Sequence, residues 1–232
     1  MDLIWEGLRK ALELLLALDP EVLRITFLSL KVSGIATLLS VVLGLGLAIL
    51  VALNDFPGKR LVIALLNTGM GIPPVVVGLF VTVMLWRYGP LGFLGILYTP
   101  SAIILAQLVI ATPIIAGLGL AALQHLQPGL RLQILSLGAT RAQMVWLLLR
   151  EARLPLLAAV MAGFGGVISE VGASIMVGGN IKGSTRVLTT ATVMETSRGN
   201  FDVAFALSFI LLALAFSVNA LLTHLQQRSG HR

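Results

Sequence analysis

A chain of 232 residues that is 57% hydrophobic and only 11% charged, with a mean hydropathy of +0.99, carries more apolar surface than a soluble domain of this size can bury. It has no cysteine, so disulfide frameworks, thiolate nucleophiles and cysteine-based metal sites are excluded. The net charge of +6 comes without a basic stripe interleaved with aromatics, which speaks against a nucleic-acid partner, and His125, His224 and His231 form no metal-spaced set.

Residues 1–19 read as an amphipathic helix lying along a membrane interface. Glu6, Arg9, Lys10 and Glu13 fall on one face, with Ile4, Trp5, Leu8, Leu12 and Leu16 around the rest. Asp2 and Glu6, with no cleavage site following, argue against a signal peptide. Asp19-Pro20 ends the helix.

Five apolar runs follow, over residues 32–53, 61–86, 101–123, 154–177 and 203–222. Each has the length that a helix needs to cross a hydrocarbon core about 30 Å thick. None alternates as barrel strands do. The expected fold is therefore an all-α membrane protein, an N-terminal amphipathic helix plus five transmembrane helices. Pro73-Pro74 should disrupt the second helix, and Pro113 should kink the third. In the fourth, Gly163, Gly166, Glu170 and Ala173 recur on one side, a spacing that suits close helix packing. Glu170 is an intramembrane carboxylate with three open roles: proton relay, gate, or hydrogen-bonding post.

The connectors differ. Residues 54–60 form a short basic turn. Residues 124–153 are long, basic and apolar together. They read as a turn at Pro128-Gly129, a short helix, a break at Gly138, and a second helix capped by Thr140. Residues 176–200 are Gly- and Thr-rich, with Lys182, Arg186 and Arg198. Within them "GGNIKGST" superficially resembles a phosphate loop. The order fails: its lysine precedes the glycine, and no buried strand leads in. Lysine and arginine divide equally between the two sides, so charge counting does not orient the chain.

The stretch "SLGATRAQMVWLLLREARLPLL" resembles the cytoplasmic coupling loop of ABC-importer permeases, with Gly138 and Leu154-Pro155 at the matching positions. It departs at 132–134, where Leu-Gln-Ile replaces Glu-Ala-Ala, and it is about one helical turn longer. "EVGASIMVGGNIKGSTRVLTTATVMETSRGNF" is similar to the corresponding stretch of permeases from tungstate importers.

The resemblance implies a type I permease fold over residues 20–232. It implies a homodimer working with two separate ATPase subunits and an external solute-binding protein. The chain itself would be no enzyme and would hold no cofactor, with ATP bound by the partner subunit. Residues 124–153 would then be cytoplasmic. The N-terminus and residues 176–200 would be external, and the C-terminus cytoplasmic. Leu137, Gly138, Ala139, Thr140 and Arg141 are the expected contacts to the ATPase. Ser169, Glu170, Lys182, Thr185, Arg186, Thr189 and Thr190 are the expected path or gate residues. For the outer segment three readings stand open: a solvated loop with no role, a dock for the binding protein, or a lining that receives the oxyanion. In the last, Lys182 and Arg186 would supply charge, Thr185, Thr189 and Thr190 hydroxyl donors, and Gly178-Gly179 a backbone anion nest. The expected cargo is a tetrahedral oxyanion, tungstate first, with molybdate, sulfate or phosphate as the runner-up. An ATPase-independent, proton-coupled carrier using Glu170 is the alternative from another class.

Overall fold

The computed structural model describes the backbone of residues 2–127 and 129–230, and the side chains of these except at 2, 3, 15, 225 and 228–230. Among the described residues there is no strand. The helices in chain order are α1 (Asp2–Leu16), α2 (Pro20–Leu53), α3 (Lys59–Met70), α4 (Pro74–Leu85), α5 (Pro100–Gln124), α6 (Leu130–Ser136), α7 (Arg141–Glu151), α8 (Arg153–Ile168), α9 (Gly172–Gly178), α10 (Leu188–Ser197) and α11 (Phe201–Gly230).

Among the described residues three unbroken helices are long and apolar enough to cross a membrane: α2, α5 and the Phe201–His224 part of α11. The other two apolar runs are bent pairs. The α3–α4 pair turns by 105° at 71–73, and the α8–α9 pair by 58° at 169–171. The first break follows from Pro73-Pro74, as expected. The second has no proline. Pro113 leaves α5 a single helix. The turn expected at Pro128-Gly129 lies partly outside the described residues; Gly129 itself is left-handed at φ 93°.

α2 and α5 form the spine. Ala36, Ser40, Gly44 and Ala48 recur every four residues on α2 and are all buried. A Cβ on Gly44 would sit 3.0 Å from the Thr112 carbonyl oxygen, so only glycine lets the two backbones approach this closely. Thr112 donates to Leu108 O at 2.7 Å and sits beside Ser40, so the buried hydroxyls stay satisfied. Gly163 and Gly166 of α8 meet Ile115 and Ile114 of α5. Ala173 does not continue that ridge. Beyond the 169–171 break it turns to α4, where a Cβ on Gly78 would lie 2.6 Å from its Cα. Gly172 likewise abuts Val75. The two helix breaks therefore meet, one against the other.

α1 packs on α11, with Ala11 buried in a cluster with Val22, Ile25, Leu188, Ala206 and Leu207. Its Trp5, Leu12 and Leu16 stay exposed, as an interfacial helix requires.

Gly78→Val should force α4 from α9 and lower the thermal midpoint of the detergent-purified protein, at a cost of about 1–3 kcal/mol or more. Gly46→Ala, where an added Cβ meets nothing within 4 Å, should change stability by no more than about 1 kcal/mol. Equal midpoints for the two would contradict the packing described here.

Candidate functional site: a capped helix break and a cationic cavity

The break at 169–171 exposes helix-end groups at membrane depth, where each unsatisfied one costs several kcal/mol. Side chains from three elements answer them. Glu170 is 6% exposed, and its carboxylate accepts from Ala173 N at 2.9 Å, Ser174 N at 2.9 Å and Ser174 Oγ at 3.1 Å. It thus caps α9, with its negative charge at the positive end of that helix. Gln107 of α5 donates to Val167 O at 3.1 Å, at the end of α8. Thr189 donates to Glu170 O at 2.9 Å. Of the three roles open to Glu170, this geometry is that of a hydrogen-bonding post. Ser169, beside it, is exposed, and its hydroxyl donates back to Gly165 O at 2.7 Å.

Residues 176–200 are not a loop in solvent. After α9, Gly179 adopts φ 71° and the chain folds back toward the break before α10 begins. Thr185, Thr189 and Thr190 are buried, and each donates its one hydroxyl proton to a backbone carbonyl: Gly178 O, Glu170 O and Val187 O respectively. None has a proton left for an anion, contrary to the donor role expected of them. The expected glycine nest is also absent: Gly178 ends α9, and the Gly179 N–H is spent on Ile175 O. Leu188 N donates to Ser29 Oγ at 2.8 Å, which fixes the start of α10 on α2.

Lys182 and Arg186 do come together, on an acid that sequence reading passed over. Glu21, in the first turn of α2, receives Lys182 Nζ at 2.6 Å and lies 3.5 Å from Arg186 Nη1. Arg186 is 11% exposed at its side chain, and its Nε has no acceptor among the described residues. Arg24 approaches the same loop at Gly183. A cavity of ≈ 230 Å³ opens between Glu21, Arg24, Lys182, Gly183, Ser184 and Arg186. The signal for Glu21 was weak: it pairs with residues more than 160 positions away.

At the opposite end, α6 and α7 form a rigid module. Ile134, Met144 and Leu148 pack with Ala48, Val51, Leu120 and Leu123. Arg131 donates to Leu53 O at 2.7 Å. Thr140 caps α7 reciprocally with Gln143, and Gly138 turns at φ 84°. Nearby, the Lys59 ammonium bonded to Asp55 holds that carboxyl below its ordinary range. The outer surface carries Leu132 and Leu137, exposed by 71% and 87%, with Gly138, Thr140 and Arg141 also exposed and Ala139 half-buried.

Residues 40–231 match the family described as binding-protein-dependent transport system inner membrane component. The chain belongs to this family. The permease is 41% identical over 227 residues to the "Tungstate uptake system permease protein TupB" of Peptoclostridium acidaminophilum, covering 98% of this chain and 100% of that one. It is 43% identical to a "Probable anion ABC transporter permease protein" of Haloferax volcanii, over 90% of this chain and 92% of that one. Its fold is that of a chain in the inward-facing MetNI methionine ABC transporter, with a TM-score of 0.74 at 21% identity over 91% of the permease and 98% of that chain. It is thus a multi-pass membrane protein of the type I permease fold.

Glu170→Ala strands the two amide donors of α9, each worth about 1–3 kcal/mol, whereas Ser174→Ala removes one hydroxyl bond worth about 1 kcal/mol. The first should lower the thermal midpoint several times more than the second. Similar midpoints would show that the cap carries little.

Proposed function

We propose that the chain is the permease subunit of an ATP-binding-cassette importer for a tetrahedral oxyanion, with tungstate as the cargo. The end-to-end identity to a permease named for tungstate uptake carries the choice of anion, and the cationic mouth of Lys182, Arg186 and Arg24 fits a dianion. In this reading residues 1–19 lie along the outer interface and residues 20–232 form the transport domain. The N-terminus and residues 176–200 are external. The C-terminus and residues 124–153 are cytoplasmic.

The permease works as a pair of copies. Residues 71–76, at the first helix break, are exposed in the single chain. Irregular backbone at membrane depth is tolerated only against protein or a water-filled path. A second copy facing that break, with the path between the two, meets the requirement. Ser169 and the Glu170 cap border the same region, and there Glu170 shapes the path rather than carrying protons. A tetrahedral dianion needs such a hydrated or donor-lined route, because hydrocarbon offers it no solvation.

ATP is bound and hydrolysed by a separate pair of subunits, and this chain holds no cofactor of its own. Their groove receives Leu137, Gly138, Ala139, Thr140 and Arg141. An exposed apolar knob on a rigid, well-anchored module is the kind of surface that marks a protein partner. An external solute-binding protein delivers the anion to the outer mouth. Closure of the ATPases then rocks the two permeases between outward- and inward-open states.

Three measurements test this. Uptake of tungstate by vesicles holding the whole transporter and its binding protein should need ATP and be competed more strongly by tungstate than by molybdate or sulfate. Equal uptake without ATP would favour a stand-alone carrier. Single cysteines placed along 136–144 should crosslink to the ATPase in a nucleotide-dependent way, strongest near Thr140; no such crosslink anywhere in that window would sink the coupling assignment. Leu137→Asp should lower ATP-driven uptake about tenfold or more while leaving the thermal midpoint unchanged, because the side chain is exposed.

A further inference from the structure

We infer that Glu21 is a tethered anion that occupies the oxyanion's place at the outer mouth and acts as a charge filter. The inference rests on the reading of the chain as an oxyanion permease. Three cations, Arg24, Lys182 and Arg186, converge on the ≈ 230 Å³ cavity, and the carboxylate lining it is Glu21. One carboxylate against three cations leaves a surplus of positive charge. The Glu21–Arg186 contact is long, at 3.5 Å, and the buried Arg186 Nε has no acceptor among the described residues. A buried guanidinium served this poorly calls for a ligand with more oxygens than one carboxylate supplies. A tetrahedral oxyanion presents oxygens in several directions at once.

The same residues also line two spaces. Glu21, Ile25, Lys182 and Arg186 line both the 230 Å³ cavity and a neighbouring one of ≈ 500 Å³ that runs to Lys10, Glu195 and Arg198. The Glu21 ion pairs therefore border both spaces. Moving the Glu21 side chain off its partners would free the protons of Lys182 and Arg186 to face both spaces.

Glu21 competes for these donors at the high effective concentration that tethering confers. A monoanion matches its charge without its tether and loses. A dianion gains from Arg24 as well and displaces it. When the carboxylate swings back, it expels the anion, so the site stays reversible, as a point on a transport path must be. The backbone does not depend on this side chain: Asp19 Oδ1 accepts from Glu21 N and Val22 N, and the Glu21 side chain is 42% exposed.

The test uses the whole transporter in lipid nanodiscs without its binding protein, titrated with tungstate and with perrhenate, a tetrahedral monoanion of similar size. Wild type should bind tungstate well above perrhenate. Glu21→Gln should bind perrhenate about tenfold tighter than wild type, which narrows the preference for the dianion. Adding Arg186→Gln to Glu21→Gln should abolish the gain. Unchanged perrhenate affinity in Glu21→Gln, or a gain that survives the loss of Arg186, would overturn the filter. Tungstate uptake by the wild-type transporter, run in parallel, separates the two readings. With uptake intact and no gain at Glu21→Gln, only the filter fails. With no tungstate uptake but a gain for perrhenate, the filter stands and the choice of tungstate falls.

Discussion

The carboxylate of Glu170 makes a break in a membrane helix affordable, and much of the molecule is arranged around that break. An interrupted helix at membrane depth leaves amides and carbonyls that lipid cannot satisfy. Here the amides at the start of α9 go to Glu170, while the side chains of Gln107 and Thr189 reach the carbonyls of Val167 and Glu170. Those partners come from α5 and α10, so the break also ties together segments far apart in sequence. An acid in an apolar run usually raises the question of proton transfer. Here both oxygens are engaged as acceptors, so the carboxylate is built into the break as a hydrogen-bonding post.

Close packing then decides where the broken pieces sit. Gly78 lets α4 reach Ala173 on α9, and Gly172 abuts Val75 beside the other break. The irregular backbone of both bent pairs is thereby gathered into one region, while α2 and α5 stay unbroken behind it. Helices joined by short irregular segments can pivot as rigid bodies, with the backbone rotation absorbed at the joints. The joints at 71–73 and 169–171 are adjacent, so one movement can use both.

Much of this was legible in the sequence, and the rest was hidden for definite reasons. Five apolar runs, the Pro73-Pro74 break, the Gly138 turn and the Thr140 cap are local signals written in residue type and spacing. The break at 169–171 has no proline to announce it; it exists because distant side chains satisfy it. The threonines of 185–190 were read as open donors because composition marks a segment as polar without saying whom its hydroxyls serve. Their burial comes from the fold-back after Gly179, a tertiary event. Glu21 was missed for a similar reason. Next to Asp19-Pro20 it looks like an ordinary first-turn acid, and its partners are fixed only when Lys182 and Arg186 arrive across the fold.

One element joins the two ends of the molecule. α2 runs for 34 residues, about 50 Å at 1.5 Å per residue, longer than the hydrocarbon core is thick. Its first two turns carry Glu21 and Arg24 at the cationic mouth. Its last residue, Leu53, accepts from Arg131 on the α6–α7 module. Between them it is held to α5 by the Ala36, Ser40, Gly44 and Ala48 contact, which leaves little freedom to slide or bend. In the proposed function, a push on the module at Arg131 would reach the cationic mouth through a continuous helix rather than through a chain of loops. The same push would reach the helix breaks separately, because α7 passes into α8 at Ala152 and α8 ends at Ile168, beside the 169–171 break. Two helical routes thus leave one surface, one to Glu21 and Arg24 and one to the joints at the helix breaks. In the proposed transport cycle, a single push on the module would act on the cationic site and on the helix breaks together.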